Sequence, residues 1–207
     1  MNRLLFLTLL ALFACNSEKK QLPILGERSI KNFKENGENR IDTVYATVPY
    51  FSFVNQNGDS LSQNDVNGKI YVADFFFISC PTICPIMKRE MIRVFDAFKG
   101  DTSLLLLSHT IDPEHDTLPL LKQYALDLGS DGKQWQFLTG ERERIYEMAE
   151  KGYYATALPD STAPGGFVHS GGFILVDRHS RVRGIYDGTD TKQVDQLIKD
   201  ISLLKQE

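Results

Sequence analysis

The chain has 207 residues, 42% hydrophobic and 24% charged, which suits one ordinary soluble domain and is too short for two domains plus linkers. Its 23 Lys and Arg against 27 Asp and Glu leave a net charge of −4 with no densely basic face, which argues against recognition of DNA or RNA backbones. Glycine loops that would cradle a nucleotide and internal repeats are both absent, so the chemistry-bearing residues are three cysteines and four histidines.

Met1-Asn2-Arg3 gives a positive start and Leu4 to Phe13 an apolar run. The run is too short to cross about 30 Å of hydrocarbon as a permanent helix, so residues 1–14 read as a signal peptide. Leu12-Phe13-Ala14-Cys15 resembles a bacterial lipobox, in which cleavage precedes a cysteine that is then acylated. Cys15 is therefore the expected lipidation site, and acyl chains would hold the protein at a bacterial membrane with its domain exported from the cytoplasm. Residues 15–43 are charged, with scattered apolar positions, and read as a lipidated tether, part of it able to pack as an arm on a domain spanning 44–207.

Tyr50 to Val54 is strand-like and Asn57-Gly58-Asp59 a turn. Ser62 caps a short helix to Val66, with Asp65 three residues on and Asn67-Gly68 ending it. Lys69 to Ile78 is a continuous apolar run rich in aromatics, the pattern of a strand buried on both faces. A helix starts near Cys84-Pro85, because proline is tolerated in the first turn, and Met87, Met91, Phe95 and Phe98 stripe it until Gly100. Leu104 to Ser108 is a second buried strand, and Leu118, Leu121, Ala125 and Leu128 mark a helix closed by Gly129. Trp135 to Thr139 is a strand, Glu141 to Lys151 a helix, and Phe173–Val176 with Val182–Tyr186 a hairpin. Val194, Leu197, Ile198 and Ile201 stripe a final helix. The alternation predicts an α/β fold: a thioredoxin-like central mixed sheet flanked by helices, with an N-terminal hairpin extension.

Cys80-Pro81-Thr82-Ile83-Cys84 falls where a central strand turns into a helix, the end of an open sheet at which functional groups collect. Four helical residues rise about 6 Å, so one helical turn would set both thiols on a common face. That spacing allows a disulfide, a two-thiolate metal claw or a redox couple. His179 and His115 lie in charged, surface-like stretches, and His109 ends a strand as a structural residue. His169 sits between the glycine pairs Gly165-Gly166 and Gly171-Gly172, where a third metal ligand and a plain His-Ser turn are equally compatible with the sequence.

Four motifs occur in order: Cys80-Pro81-Thr82-Ile83-Cys84-Pro85, Ile111-Asp112-Pro113-Glu114-His115-Asp116-Thr117, Trp135 to Gly140, and Val168-His169-Ser170. Together they resemble the Sco/SenC family of copper-binding proteins that help assemble cytochrome c oxidase, over about Val48 to Leu204. The resemblance implies one copper ion, Cu(I) or Cu(II), held by Cys80, Cys84 and His169, with Asp112 and Asp116 as supporting residues. It also implies a copper donor protein and a cuproenzyme recipient, such as a cytochrome c oxidase subunit, as partners. Asp74 and Phe75-Phe76-Phe77 replace the family's more usual aromatic-glycine pattern, and Ser79 stands where a histidine is common. The alternative is a thiol–disulfide oxidoreductase cycling Cys80 and Cys84, although its usual motif has two residues between the cysteines, not three.

Overall fold

The computed structural model describes residues 21–130 and 132–207, so the signal peptide and Cys15 lie outside the described residues. An arm and then a hairpin precede the main sheet. β1 (Arg28–Glu35) and β2 (Glu38–Tyr45) pair antiparallel through a two-residue turn at Asn36 and Gly37, whose φ values of 53° and 85° are both left-handed. That conformation favours the Asn-Gly pair, because asparagine tolerates it and glycine has no Cβ. Ile30 and Ile41 are 72% and 73% exposed, so this hairpin stands off the core. The preceding arm is anchored instead: Leu22 is buried and the Leu25 N–H donates to the Val182 carbonyl at 2.8 Å.

β3 (Ser52–Asn55) and β4 (Ser60–Ser62) form a second hairpin, followed by α1 (Gln63–Val66). The capping predicted from sequence is present, the Ser62 N–H donating to Asp65 Oδ2 at 2.7 Å. β5 (Ile70–Phe76) and β6 (Leu104–Thr110) are buried at every position and run parallel, with α2 (Cys84–Ala97) as the crossover. α3 (Leu118–Asp127) leads to β7 (Trp135–Thr139), parallel to β6. The helix expected over Glu141–Lys151 is α4 (Arg142–Glu147) continued by a π-helical turn over Met148–Gly152. β8 (Ala157–Pro159) and β9 (Phe167–His169) form a small antiparallel ribbon where the sequence reads as a glycine-bracketed loop. Three-residue strands are too short for period-two alternation to register. β10 (Gly172–Val176), β11 (Val182–Asp187) and α5 (Thr191–Leu204) complete the fold.

The main sheet has the order β11-β10-β5-β6-β7-β3-β4. Alternation along its central strands divides the core. Phe76 and Phe137 pack under Tyr124 of α3 (ring centroids 5.4 and 5.6 Å), and Trp135 under Phe95 of α2 (5.7 Å). On the opposite face Tyr71, Phe75 and His109 surround Tyr153. Burying residues of about 150–250 Å² on both faces is what makes β5 and β6 the stable axis of the domain. The C-terminal end of β5 is thereby fixed, and the Cys80 turn departs from it.

Candidate metal centre

Three ligand atoms, from Cys80, Cys84 and His169, converge at this end of the sheet, all within 4.8 Å of one another. Cys80 lies in the turn after β5, its N–H donating to the Phe77 carbonyl at 3.2 Å. Cys84 is the first residue of α2, so the pair does not share a helical turn: Cys80 precedes the helix, and the turn folds it back toward Cys84. His169 arrives from the far side as the last residue of β9, opposite Ala157 in the ribbon, with the Ser170 N–H tied to the Thr156 carbonyl at 2.8 Å. Its Nε2 is 3.2 Å from Cys84 Sγ. Both cysteines are buried and, among the described residues, form no disulfide, and buried His169 has no hydrogen-bond partner at Nδ1 among them.

The two thiols differ electrostatically. Burial pushes the Cys80 thiol up, but the Thr82 N–H, the Cys84 group and the Thr82 hydroxyl outweigh it, leaving Cys80 below the ordinary thiol value. Deeper burial pushes Cys84 far up, opposed only in part by the Phe77 backbone, and Cys80 adds to the rise. Burial also lowers His169, which favours the neutral imidazole, with one ring nitrogen carrying a lone pair for a ligand bond. One thiol that ionises more readily, one thiol held protonated and one neutral imidazole form a donor set for a soft cation of low coordination number.

Asp112 and Asp116 stay outside this cluster. Asp116 Oδ2 accepts from the Thr110 hydroxyl at 2.5 Å and from the Ile78 N–H at 3.1 Å, which fixes the backbone two residues before Cys80. Asp112 accepts from the ring of exposed His115 at 2.8 Å. His179 lies in the exposed turn between β10 and β11. His109 is fully buried on the other face of the sheet, stacked on Phe75 at 5.2 Å.

Phe77 and Asp74, read from sequence only as departures from the family's usual pattern, both border the site. Phe77 packs beside His169 with ring centroids 6.0 Å apart. Behind Cys84, Asp74 accepts the Ser108 hydroxyl at 2.6 Å, Ser108 accepts the Trp135 indole N–H at 2.9 Å, and these groups share with Cys84 a cavity of about 10 Å³. A lone acid inside the apolar run of β5 was the available signal, since an acid there needs a buried partner.

Asp74 and His109 sit on neighbouring strands and respond oppositely to pH. Burial raises Asp74 from 3.8 to about 7, against the pull of the Ser108 hydroxyl, and lowers His109 from 6.5 to about 4. Between about pH 4 and 7 the unfolded chain loses the Asp74 proton while the folded chain keeps it, so this group makes stability fall as pH rises. Between about pH 4 and 6.5 the unfolded chain binds a proton at His109 that the folded chain excludes, so this group makes stability rise. The two contributions oppose each other. Asp74→Asn is expected to leave a stability that rises across this window, and His109→Phe one that falls, each by up to about 1.4 kcal/mol per pH unit. Urea unfolding at several pH values checks this, and parallel profiles for the two variants would refute it.

The SCO1/SenC family profile matches residues 40–205. A SCO1 protein homolog from Bacillus subtilis is 30% identical over 167 residues, covering 80% of this chain and 86% of that protein. Among solved structures, a SCO1/SenC family lipoprotein from Bacillus anthracis superposes with TM-score 0.70 at 27% identity, covering 77% of this chain and 95% of that one. BsSco, described as a Sco-family cytochrome c oxidase assembly protein with a disulfide switch, gives 0.64 at 29% identity, covering 75% and 93%. Bradyrhizobium japonicum ScoI with copper bound gives 0.61 at 23% identity, covering 74% and 99%, a likeness of fold.

Proposed function

The chain belongs to the SCO1/SenC family, and from that membership we propose that it is a copper chaperone whose Cys80, Cys84 and His169 take up one copper ion and deliver it to a cuproenzyme. The convergence of two thiols and one imidazole within 4.8 Å carries this reading. Thiolates suit Cu(I) and imidazole suits both oxidation states, whereas zinc would call for a fourth ligand. The recipient is the copper site of cytochrome c oxidase, in keeping with the assembly role described for BsSco.

Uptake begins at Cys80, which ionises more readily than Cys84 because the Thr82 N–H and the Cys84 group hold its pKa below the ordinary thiol value. Cys84 then gives up its proton and becomes the second sulfur ligand, and His169 Nε2 completes a three-donor site. Release reverses this order: His169 withdraws on its ribbon, and a recipient thiolate or imidazole replaces it before the sulfurs let go. Cys15 carries the lipid that keeps the domain at a membrane, as the lipoprotein description of the Bacillus anthracis relative supports.

The test is a competition titration of the reduced protein under anaerobic conditions, in both oxidation states. One equivalent of copper and a sulfur-to-Cu(II) charge-transfer band are expected. His169→Ala is expected to weaken Cu(II) retention more than Cu(I), because two thiolates alone still suit the softer ion. Equal losses in both states would count against the assigned role of His169.

A second reading, thiol–disulfide oxidoreductase, is favoured by the unequal thiols. The Cys80 thiolate would attack a partner disulfide and release one partner thiol. Cys84 would then lose its proton and attack the mixed disulfide, forming the Cys80–Cys84 bond and freeing the second partner thiol. The disulfide switch described for BsSco supports this chemistry. Rapid reduction of insulin disulfides by a protein indifferent to copper would make it the primary activity.

A further inference from the structure

Phe77 touches both the cysteine turn and the histidine strand without offering a ligand atom. Its carbonyl accepts the Cys80 N–H at 3.2 Å. Its ring, 1% exposed, lies edge-on to His169 at 6.0 Å and against Phe167 at 5.2 Å. The third contact is with Gly165, which has φ +81°: a Cβ there would stand 2.8 Å from Phe77 Cε2, 2.9 Å from Cζ and 3.2 Å from Pro81 Cδ. Only glycine lets the chain before β9 lie this close to the ring in that conformation. The segment bearing His169 and the turn bearing both cysteines are thus joined through one aromatic side chain.

We infer that Phe77 and Gly165 form a latch that positions His169, so that closure of the third ligand onto the two sulfurs depends on this packing. The inference rests on the copper reading above and adds positioning residues to it. The β8–β9 ribbon has two strands of three residues and exposes Leu158 and Val168. Its ends are tied by the Ala155 N–H to the Ala149 carbonyl and by β10. The latch is the contact that sets Gly165 and Phe167 against the cysteine turn. An open latch leaves a two-thiolate site that retains Cu(I) and releases Cu(II).

The experiment uses the reduced full chain, with Phe77→Leu, Gly165→Ala, the double variant and His169→Ala, loaded separately with Cu(I) and Cu(II). Each single latch variant is expected to lose Cu(II) to a chelator about tenfold faster or more, the scale on which outer-shell residues act on metal sites. Its charge-transfer band should shift toward that of His169→Ala, while Cu(I) affinity stays within about threefold of the parent. Leucine lacks the Cε2 and Cζ atoms that an alanine at 165 would meet, so in the Phe77→Leu background Gly165→Ala should add only the part that comes from its left-handed backbone and Pro81 Cδ. Gly165 is exposed and lies outside the main sheet, so its variant remains a fair test if Phe77→Leu lowers fold stability. The latch is overturned if His169→Ala speeds Cu(II) loss but neither latch variant does, or if the two latch effects multiply in full in the double variant. If His169→Ala itself leaves Cu(II) untouched, the copper reading falls and the latch with it.

Discussion

Cys84→Ser is expected to lower Cu(I) affinity by more than about 100-fold, beyond the range of outer-shell changes, while leaving the fold intact. Cys84 begins α2 beside Pro85, and a serine hydroxyl there can still meet His169 Nε2, which is now 3.2 Å from the sulfur. On the proposed copper reading the lost ligand is the thiol that burial holds protonated, so copper binding by the parent would displace a proton from it. Apparent copper affinity of the parent should therefore rise with pH through the neutral range. Cys84→Ser should flatten that slope, because Cys80 ionises more readily. Alkylation adds an independent readout. The Cys84→Ser protein, which keeps Cys80, should react with iodoacetamide faster at neutral pH than Cys80→Ser, which keeps the buried, protonated thiol. Competition against a chromogenic Cu(I) chelator reads the affinities, and an unchanged value in Cys84→Ser would remove this cysteine from the site.

The same residues mark where the sequence was legible. The apolar runs of β5 and β6 predicted buried strands because both of their faces are covered, and the methionine and phenylalanine stripe of α2 was visible at helical spacing. Cys80 and Cys84 announced themselves by proximity to each other. His169 did not, because 85 residues separate it from Cys84 and only the sheet order, with β10 beside β5, brings its strand to the cysteine turn. Residue identity alone left it level with an ordinary turn histidine, and the family resemblance decided between them. Phe77 was indistinguishable from Phe75 and Phe76, since a run buried on both faces does not show which ring meets a loop from elsewhere. The expected N-terminal hairpin extension is present as β1 and β2, although Ile30 and Phe33 fall on opposite faces of β1 and leave no one-sided apolar pattern to fix its bounds from sequence.

At the opposite end of β10, Arg183→Ala is expected to destabilise the folded protein by about 3–5 kcal/mol, the cost of breaking a buried ion pair from one side. Arg183 is 4% exposed. Its guanidinium donates to Asp177 Oδ2 at 3.0 Å, to Glu207 Oε2 at 2.6 Å, and to the carbonyls of Leu22 at 2.6 Å and Pro23 at 3.0 Å. Burial alone would push the Asp177 carboxyl up. The Arg181 backbone and side chain, the His179 N–H and Arg183 together hold it below the ordinary range instead. Truncation would leave Asp177 short of one cation and two backbone carbonyls without donors. Arg183→Met restores the volume but not the charge, so it should recover little. Adding Asp177→Asn to Arg183→Met should recover more, because the buried negative charge is then gone. The arm at Leu22–Leu25 loses its clamp in either Arg183 variant, and proteolysis there should accelerate before the domain unfolds. Copper binding is the discriminating control. β10 begins three residues after His169 and carries the chain from the metal centre to Asp177 at the other end of the sheet, so these variants should lose stability while keeping parental copper affinity. A fall in affinity matching the fall in stability, measured where each variant is still fully folded, would mean that the arm and the metal centre are coupled through β10 and would refute this separation.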